Sequence, residues 1–88
     1  MKIEVYSREN CGQCVMAKNL LKQRCLDFDE LILDNATITV DDLKSRVAET
    51  NSSKPVAMLP QIFINGEHLG SFNDLRAFVN SNQLSCAA

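Results

Sequence analysis

The stretch Ile3-Glu4-Val5-Tyr6-Ser7-Arg8-Glu9-Asn10-Cys11-Gly12-Gln13-Cys14-Val15-Met16-Ala17 sets two cysteines, three positions apart, between an extended run and a helical one. Residues 2–7 read as a strand, with Ile3 and Val5 facing one way and Tyr6 near its end. From Cys14 onward the period changes. At 100° per residue Cys14, Ala17, Leu20 and Leu21 share one stripe with Cys25 close to it, while Lys18, Lys22 and Gln23 lie mostly outside. The first sulfur therefore stands at a helix N-terminus, where unpaired backbone N–H groups and the macrodipole favour an anion. A thiolate is the reactive form of cysteine, so this placement points to dithiol redox chemistry.

Spacing sharpens the roles. Side chains at i and i+3 of a regular helix hold their Cβ atoms about 5–6 Å apart, whereas a disulfide wants about 3.5–4.5 Å. The pair closes only if one member is not yet helical. Cys11 at the N-cap satisfies this and leaves a tight, reducible bond. It becomes the nucleophile at the open helix end, and Cys14, on the core-facing stripe, the resolving thiol. The helix terminus contributes about 0.3–1 kcal/mol, up to about 2, which lowers a thiol pKa by roughly 0.2–1.5 units. Nearby cations and N–H donors must supply the rest, and Arg8 and Lys18 are the candidates. Cys25 reads as a small core hydrophobe and Cys86 as an incidental thiol in a tail.

Further along, residues 27–33 form a second extended run, broken at Asp34 to Thr37. Thr39-x-x-Asp42 opens a helix with Val40, Leu43 and Val47 as its apolar positions, and Asn51 to Pro55 ends it. Gln61 to Ile64 is a strand, Asn65-Gly66 a strong hairpin turn, and Glu67 to Leu69 the return. Gly70-Ser71 closes the hairpin, and Ser71-x-x-Asp74 caps a last helix with Phe72, Leu75, Phe78 and Val79 on one face. Residues 81–88 fade into a mobile tail. The order is β-α-β-α-β-β-α, and the strand-helix-strand opening demands a parallel pair while Asn65-Gly66 demands an antiparallel one. One four-stranded mixed sheet flanked by three helices, in an α/β domain spanning residues 1–88, meets both demands.

Composition excludes much else. Eighty-eight residues suit one modest core, and a net charge of −2 with acids and bases interspersed offers no basic footprint for nucleic acid. No apolar run approaches the roughly 20 residues of a membrane span, and the N-terminus lacks a signal-peptide core, so the expected setting is the cytoplasm. The single histidine, His68, is too little for a zinc site with the remaining cysteines, and no metal is expected.

Three blocks in order give the chain a resemblance: Tyr6 to Cys14, Lys54 to Gly66, and His68-Leu69-Gly70-Ser71-Phe72-Asn73-Asp74-Leu75. Together they resemble the glutaredoxins, glutathione-dependent members of the thioredoxin fold. The resemblance implies a cis peptide at Pro60 facing Cys11, with the Leu59 backbone pairing with the cysteinyl unit of glutathione. It implies a γ-glutamyl carboxylate on the N–H groups near Phe72, Asn73 and Asp74 after Gly70-Ser71, with Asp74 receiving the ammonium. Gly70-Ser71 before a capped helix is by itself a carboxylate site. Arg8 and Gln61 would stand near the glycyl carboxylate. The implied activity is reduction of protein disulfides and glutathione mixed disulfides by a monomer, with glutathione as electron donor and ribonucleotide reductase among the family partners.

Two departures stand out. The family's usual Cys-Pro-Tyr-Cys reads Cys11-Gly12-Gln13-Cys14, so Gln13 takes the place of an aromatic wall beside glutathione, and the usual Thr-Val-Pro reads Met58-Leu59-Pro60. Three other readings stay open: a glutaredoxin-like redoxin recharged by thioredoxin reductase, a glutathione-ligated [2Fe–2S] carrier suggested by Gly12, and a non-catalytic thioredoxin-like module. Thioredoxin itself is disfavoured because the chain has no tryptophan before the motif.

Overall fold

The computed structural model describes residues 1–34, 37–50 and 58–83. Its elements run β1 (Ile3–Ser7), α1 (Gly12–Gln23), β2 (Asp29–Ile32), α2 (Val40–Glu49), β3 (Gln61–Ile64), β4 (Glu67–Gly70) and α3 (Phe72–Ser81). The strands form one mixed sheet in the order β2-β1-β3-β4. Val5 pairs with Glu30 in the parallel β1–β2 ladder and with Ile62 in the antiparallel β1–β3 ladder. Ile62 in turn pairs with Gly70. This register brings the C-terminal ends of β1, β2 and β4 and the start of β3 to one edge of the sheet.

All five residues of β1 are buried, because both faces of this central strand are covered. Ile3, Val5 and Ile62 meet Ala17 and Leu21 of α1 and Phe72, Leu75 and Val79 of α3 on one face. Tyr6 and Phe63 meet Leu43 and Val47 of α2 on the other. Period-2 alternation along β1 assigns its side chains to these two cores. Glu4 falls among the inward positions of the α2 face and is only 8% exposed. Arg46 answers it with two hydrogen bonds, at 2.6 and 3.0 Å, donates to the Tyr6 hydroxyl at 2.9 Å, and lies 4.2 Å above the Phe63 ring.

Local chemistry sets the boundaries. Thr39 Oγ1 accepts the Asp42 N–H, and Asp42 returns a carboxylate to the Thr39 N–H, closing the capping box expected at α2. Asn65 (φ 51°) and Gly66 (φ 85°) occupy the left-handed region that a two-residue hairpin turn requires.

Several expectations need correction. Cys25 is exposed and does not extend the α1 stripe. The helix stops at Gln23, Cys25 turns left-handed at φ 56°, and Leu26 folds back so that its N–H donates to Leu21 O at 2.9 Å. Leu26, not Cys25, packs against the core, and Cys25 is not a free thiol. Val40 is 42% exposed because it opens α2 beyond the edge of the α2 core. β2 covers only Asp29–Ile32 of the expected 27–33, and α3 continues through Ser81 where a tail was expected to begin. The expected helix stop at Asn51 to Pro55, and Cys86, lie outside the described residues.

Candidate functional site

Cys11 and Cys14 are joined by a disulfide, with Cα atoms 5.2 Å apart. Cys11 is the N-cap of α1, extended at φ −113° and ψ 106°, and its sulfur accepts the Cys14 N–H at 3.2 Å. That bond puts a backbone donor on the sulfur, as the N-cap placement anticipates. Asn10, left-handed at φ 57°, turns the chain from β1 into the cap. Cys14 is 1% exposed whereas Cys11 is half-buried, so only one sulfur of the pair faces approach from solvent. Gly12 and Gln13 are exposed, and a Cβ at Gly12 would meet nothing within 4 Å.

One wall of the site comes from the start of β3. The Leu59-Pro60 peptide is cis, Pro60 is buried, and the Leu59 carbonyl oxygen lies 3.7 Å from Cys11 Sγ. In the disulfide Cys11 carries no proton, so this approach becomes a hydrogen bond only when the thiol is reduced. Gln61, 1% exposed, braces the loop from below. Its Nε2 donates to the Met58 carbonyl at 2.7 Å, and its Oε1 meets His68 Nε2 at 2.6 Å. Gln61 thus turns inward, to the loop and His68.

The start of α3 adds a second component. The Ser71 N–H donates to Asp74 Oδ2 at 2.9 Å, and the Ser71 hydroxyl lies 3.3 Å from the same oxygen. Gly70 at φ 131° is the position where only glycine serves, since a Cβ there would collide with the Asp74 carboxylate. The Phe72 side chain points into the core, leaving its backbone at the helix mouth, while Asn73 is exposed and Asp74 half-buried.

On the other side of Cys11 an open groove of about 450 Å³ runs between α1 and β2, lined by Arg8, Cys11, Val15, Lys18, Glu30 and Ile32 among others. Arg8 thus lines the same groove as Cys11. Lys18 is held elsewhere: its Nζ sits 2.6 Å from Glu30 Oε2, which also accepts the Ser7 hydroxyl at 2.8 Å. Hydrogen bonds from Lys18, then Ser7, hold the Glu30 carboxyl below its ordinary range. Glu30 and Ser7 are residues that sequence reasoning did not find. Their contact depends on the β1–β2 pairing, and no local spacing announces it. Among the described residues no group of three or more His, Cys, Asp or Glu side chains gathers as a metal site would, and no helix there is long and apolar enough to cross a membrane.

Comparison with known proteins gives a consistent result. The glutaredoxin family model matches residues 3–69. Glutaredoxin 3 of Escherichia coli is 33% identical over 75 residues, covering 85% of this chain and 82% of its own. Among solved structures, glutaredoxin 1 of Francisella tularensis superposes with a TM-score of 0.70 at 32% identity, covering 93% of this chain and 95% of its own. The reduced Escherichia coli glutaredoxin reaches a TM-score of 0.76 at 27% identity, with 94% and 98% covered.

Proposed function

The chain belongs to the glutaredoxin family, and from that premise we propose that it is a dithiol glutaredoxin recharged by glutathione. It is a thiol–disulfide oxidoreductase of the thioredoxin fold, with Cys11-Gly12-Gln13-Cys14 as its redox pair. The finer reading rests chiefly on the convergence at one sulfur: Cys11 at a helix mouth, with a backbone donor at 3.2 Å and the Leu59 carbonyl at 3.7 Å.

In this reading the Cys11 thiolate attacks a sulfur of a glutathionylated protein and expels the protein thiolate, which takes a proton from solvent. A second glutathione thiolate then attacks the glutathionyl sulfur on Cys11, releasing glutathione disulfide and restoring the thiolate. With a protein disulfide, Cys11 forms a mixed disulfide, and Cys14 attacks Cys11 Sγ to release the partner as a dithiol. The resulting Cys11–Cys14 disulfide is reduced by two glutathione molecules. Electrons balance at each exchange.

Leu59 would pair its backbone with the glutathione cysteinyl unit beside Pro60. The N–H groups at Phe72, Asn73 and Asp74, after Gly70 and Ser71, would hold the γ-glutamyl carboxylate, with Asp74 taking its ammonium. Arg8, exposed in the Cys11 groove, suits the glycyl end, Gln13 stands exposed where the family has an aromatic wall, and Gln61 acts through the loop it braces. Disulfide-bearing proteins in the cytoplasm, ribonucleotide reductase among them, are the proposed partners of a monomer.

The test is the electron source. A small glutathione mixed disulfide should turn over with NADPH, glutathione reductase and glutathione, and stop when glutathione is omitted. Turnover driven instead by thioredoxin reductase, with glutathione adding nothing, would overturn the reading.

A further inference from the structure

Lys18 lies seven positions, about two helical turns, beyond Cys11, the N-cap of α1, so it leaves the helix on the side where Cys11 stands. Seven positions are a rise of about 10.5 Å, and helical side chains lean toward the N-terminus, so an unrestrained Lys18 ammonium would carry its charge toward the Cys11 sulfur without touching it. Cys11, Lys18 and Glu30 line the same groove. The ammonium is nevertheless drawn sideways to β2, where Glu30 holds it at 2.6 Å and is itself fixed by Ser7.

We propose that Glu30 is a positioning residue that restrains Lys18 and thereby limits the thiolate population of Cys11. The inference rests on Cys11 being the nucleophile. The other charged groups lining the groove are Arg8 and Glu9, both on the β1–α1 loop, and Lys22 of α1 also acts electrostatically on Glu30. From the β3 side the described approach to Cys11 is the Leu59 carbonyl, which carries no formal charge. From the start of α3 the charged side chain is Asp74, which accepts from Ser71. Lys18 and Glu30 hold each other in a direct ion pair at 2.6 Å. Neutralising Glu30 removes a negative charge from the groove and frees a positive one. Removing Lys18 alone leaves the Glu30 carboxylate in the groove without the Lys18 charge. Removing both charges leaves the groove close to its original balance, because the pair is neutral.

The test is the pH dependence of iodoacetamide labelling in the full chain carrying Cys14→Ser, with each cysteine quantified by peptide mapping. At pH 6.5 and low ionic strength Glu30→Gln should speed Cys11 labelling about threefold and Lys18→Met slow it about as much. The double variant should return near the parent, and the differences should shrink in 0.5 M salt. A merely structural role would move both single variants the same way and would be insensitive to salt. An unmoved or slowed Glu30→Gln profile, with Cys11 still the fastest cysteine in the parent, overturns the restraint and leaves the nucleophile assignment standing. Faster labelling at another cysteine overturns both.

Discussion

Two ion pairs of the same length, 2.6 Å, flank β1 and do different things. Arg46–Glu4 lies under α2, with Glu4 joined by two hydrogen bonds and Arg46 stacked on Phe63. Lys18–Glu30 stands in the open groove beside Cys11, with side chains 25% and 29% exposed. The first pair is committed to the fold, since a carboxylate buried beneath α2 needs a partner in place. The second gains little stability from its contact and remains free to act on the sulfur's electrostatics. Surroundings, not separation, decide which role a pair takes.

Arg46 carries the largest expected effect on stability. Arg46→Ala should cost about 2–3 kcal/mol in urea unfolding, below the roughly 3–5 of a fully buried pair because the Arg46 side chain keeps 27% exposure. It should leave Cys11 labelling unchanged, and a shift there would erase the division between the pairs. Acid gives the next effect. The hydrogen bond from Arg46 holds Glu4 below its ordinary value of 4.5, so the unfolded chain binds the proton more readily. Stability from this pair is therefore full above pH 4.5 and lost as pH falls through the lowered folded value. Glu4→Gln should flatten that acid limb of the stability profile, and an unaltered slope would deny Glu4 the role. Lys18→Met should cost at most about 1 kcal/mol, with the loss smaller still in high salt. Ser7→Ala, which removes one hydrogen bond to Glu30, should cost about 0.5–1.5 kcal/mol in thermal unfolding, and a larger loss would place the second pair with the first.

Much of this was legible in the sequence where the physics is local. The N-cap position of Cys11, the Thr39 capping box and the Asn65-Gly66 turn each depend on a few neighbouring residues, and the structure shows all three. The alternation of Ile3 and Val5 likewise announced the α1–α3 face. What stayed hidden depends on contacts between distant segments. Glu4 and Arg46 are 42 positions apart and Ser7 and Glu30 are 23, so neither link has a local signature. Cys25 misled because a helical stripe carries no mark of where its helix ends, and the left-handed turn there uses a cysteine where glycine is the usual sign. Lys18 sat at the right helical position for the sulfur, yet a carboxylate on β2 claimed it.

The redox pair is asymmetric, with half-buried Cys11 attacking and buried Cys14 resolving. The most direct test of this asymmetry is the Cys14→Ser protein mixed with glutathione disulfide and mapped by mass spectrometry. A single stable glutathionyl adduct on Cys11 is the predicted result. Absence of an adduct at Cys11, or efficient glutathionylation of Cys14 in the Cys11→Ser protein, would contradict it.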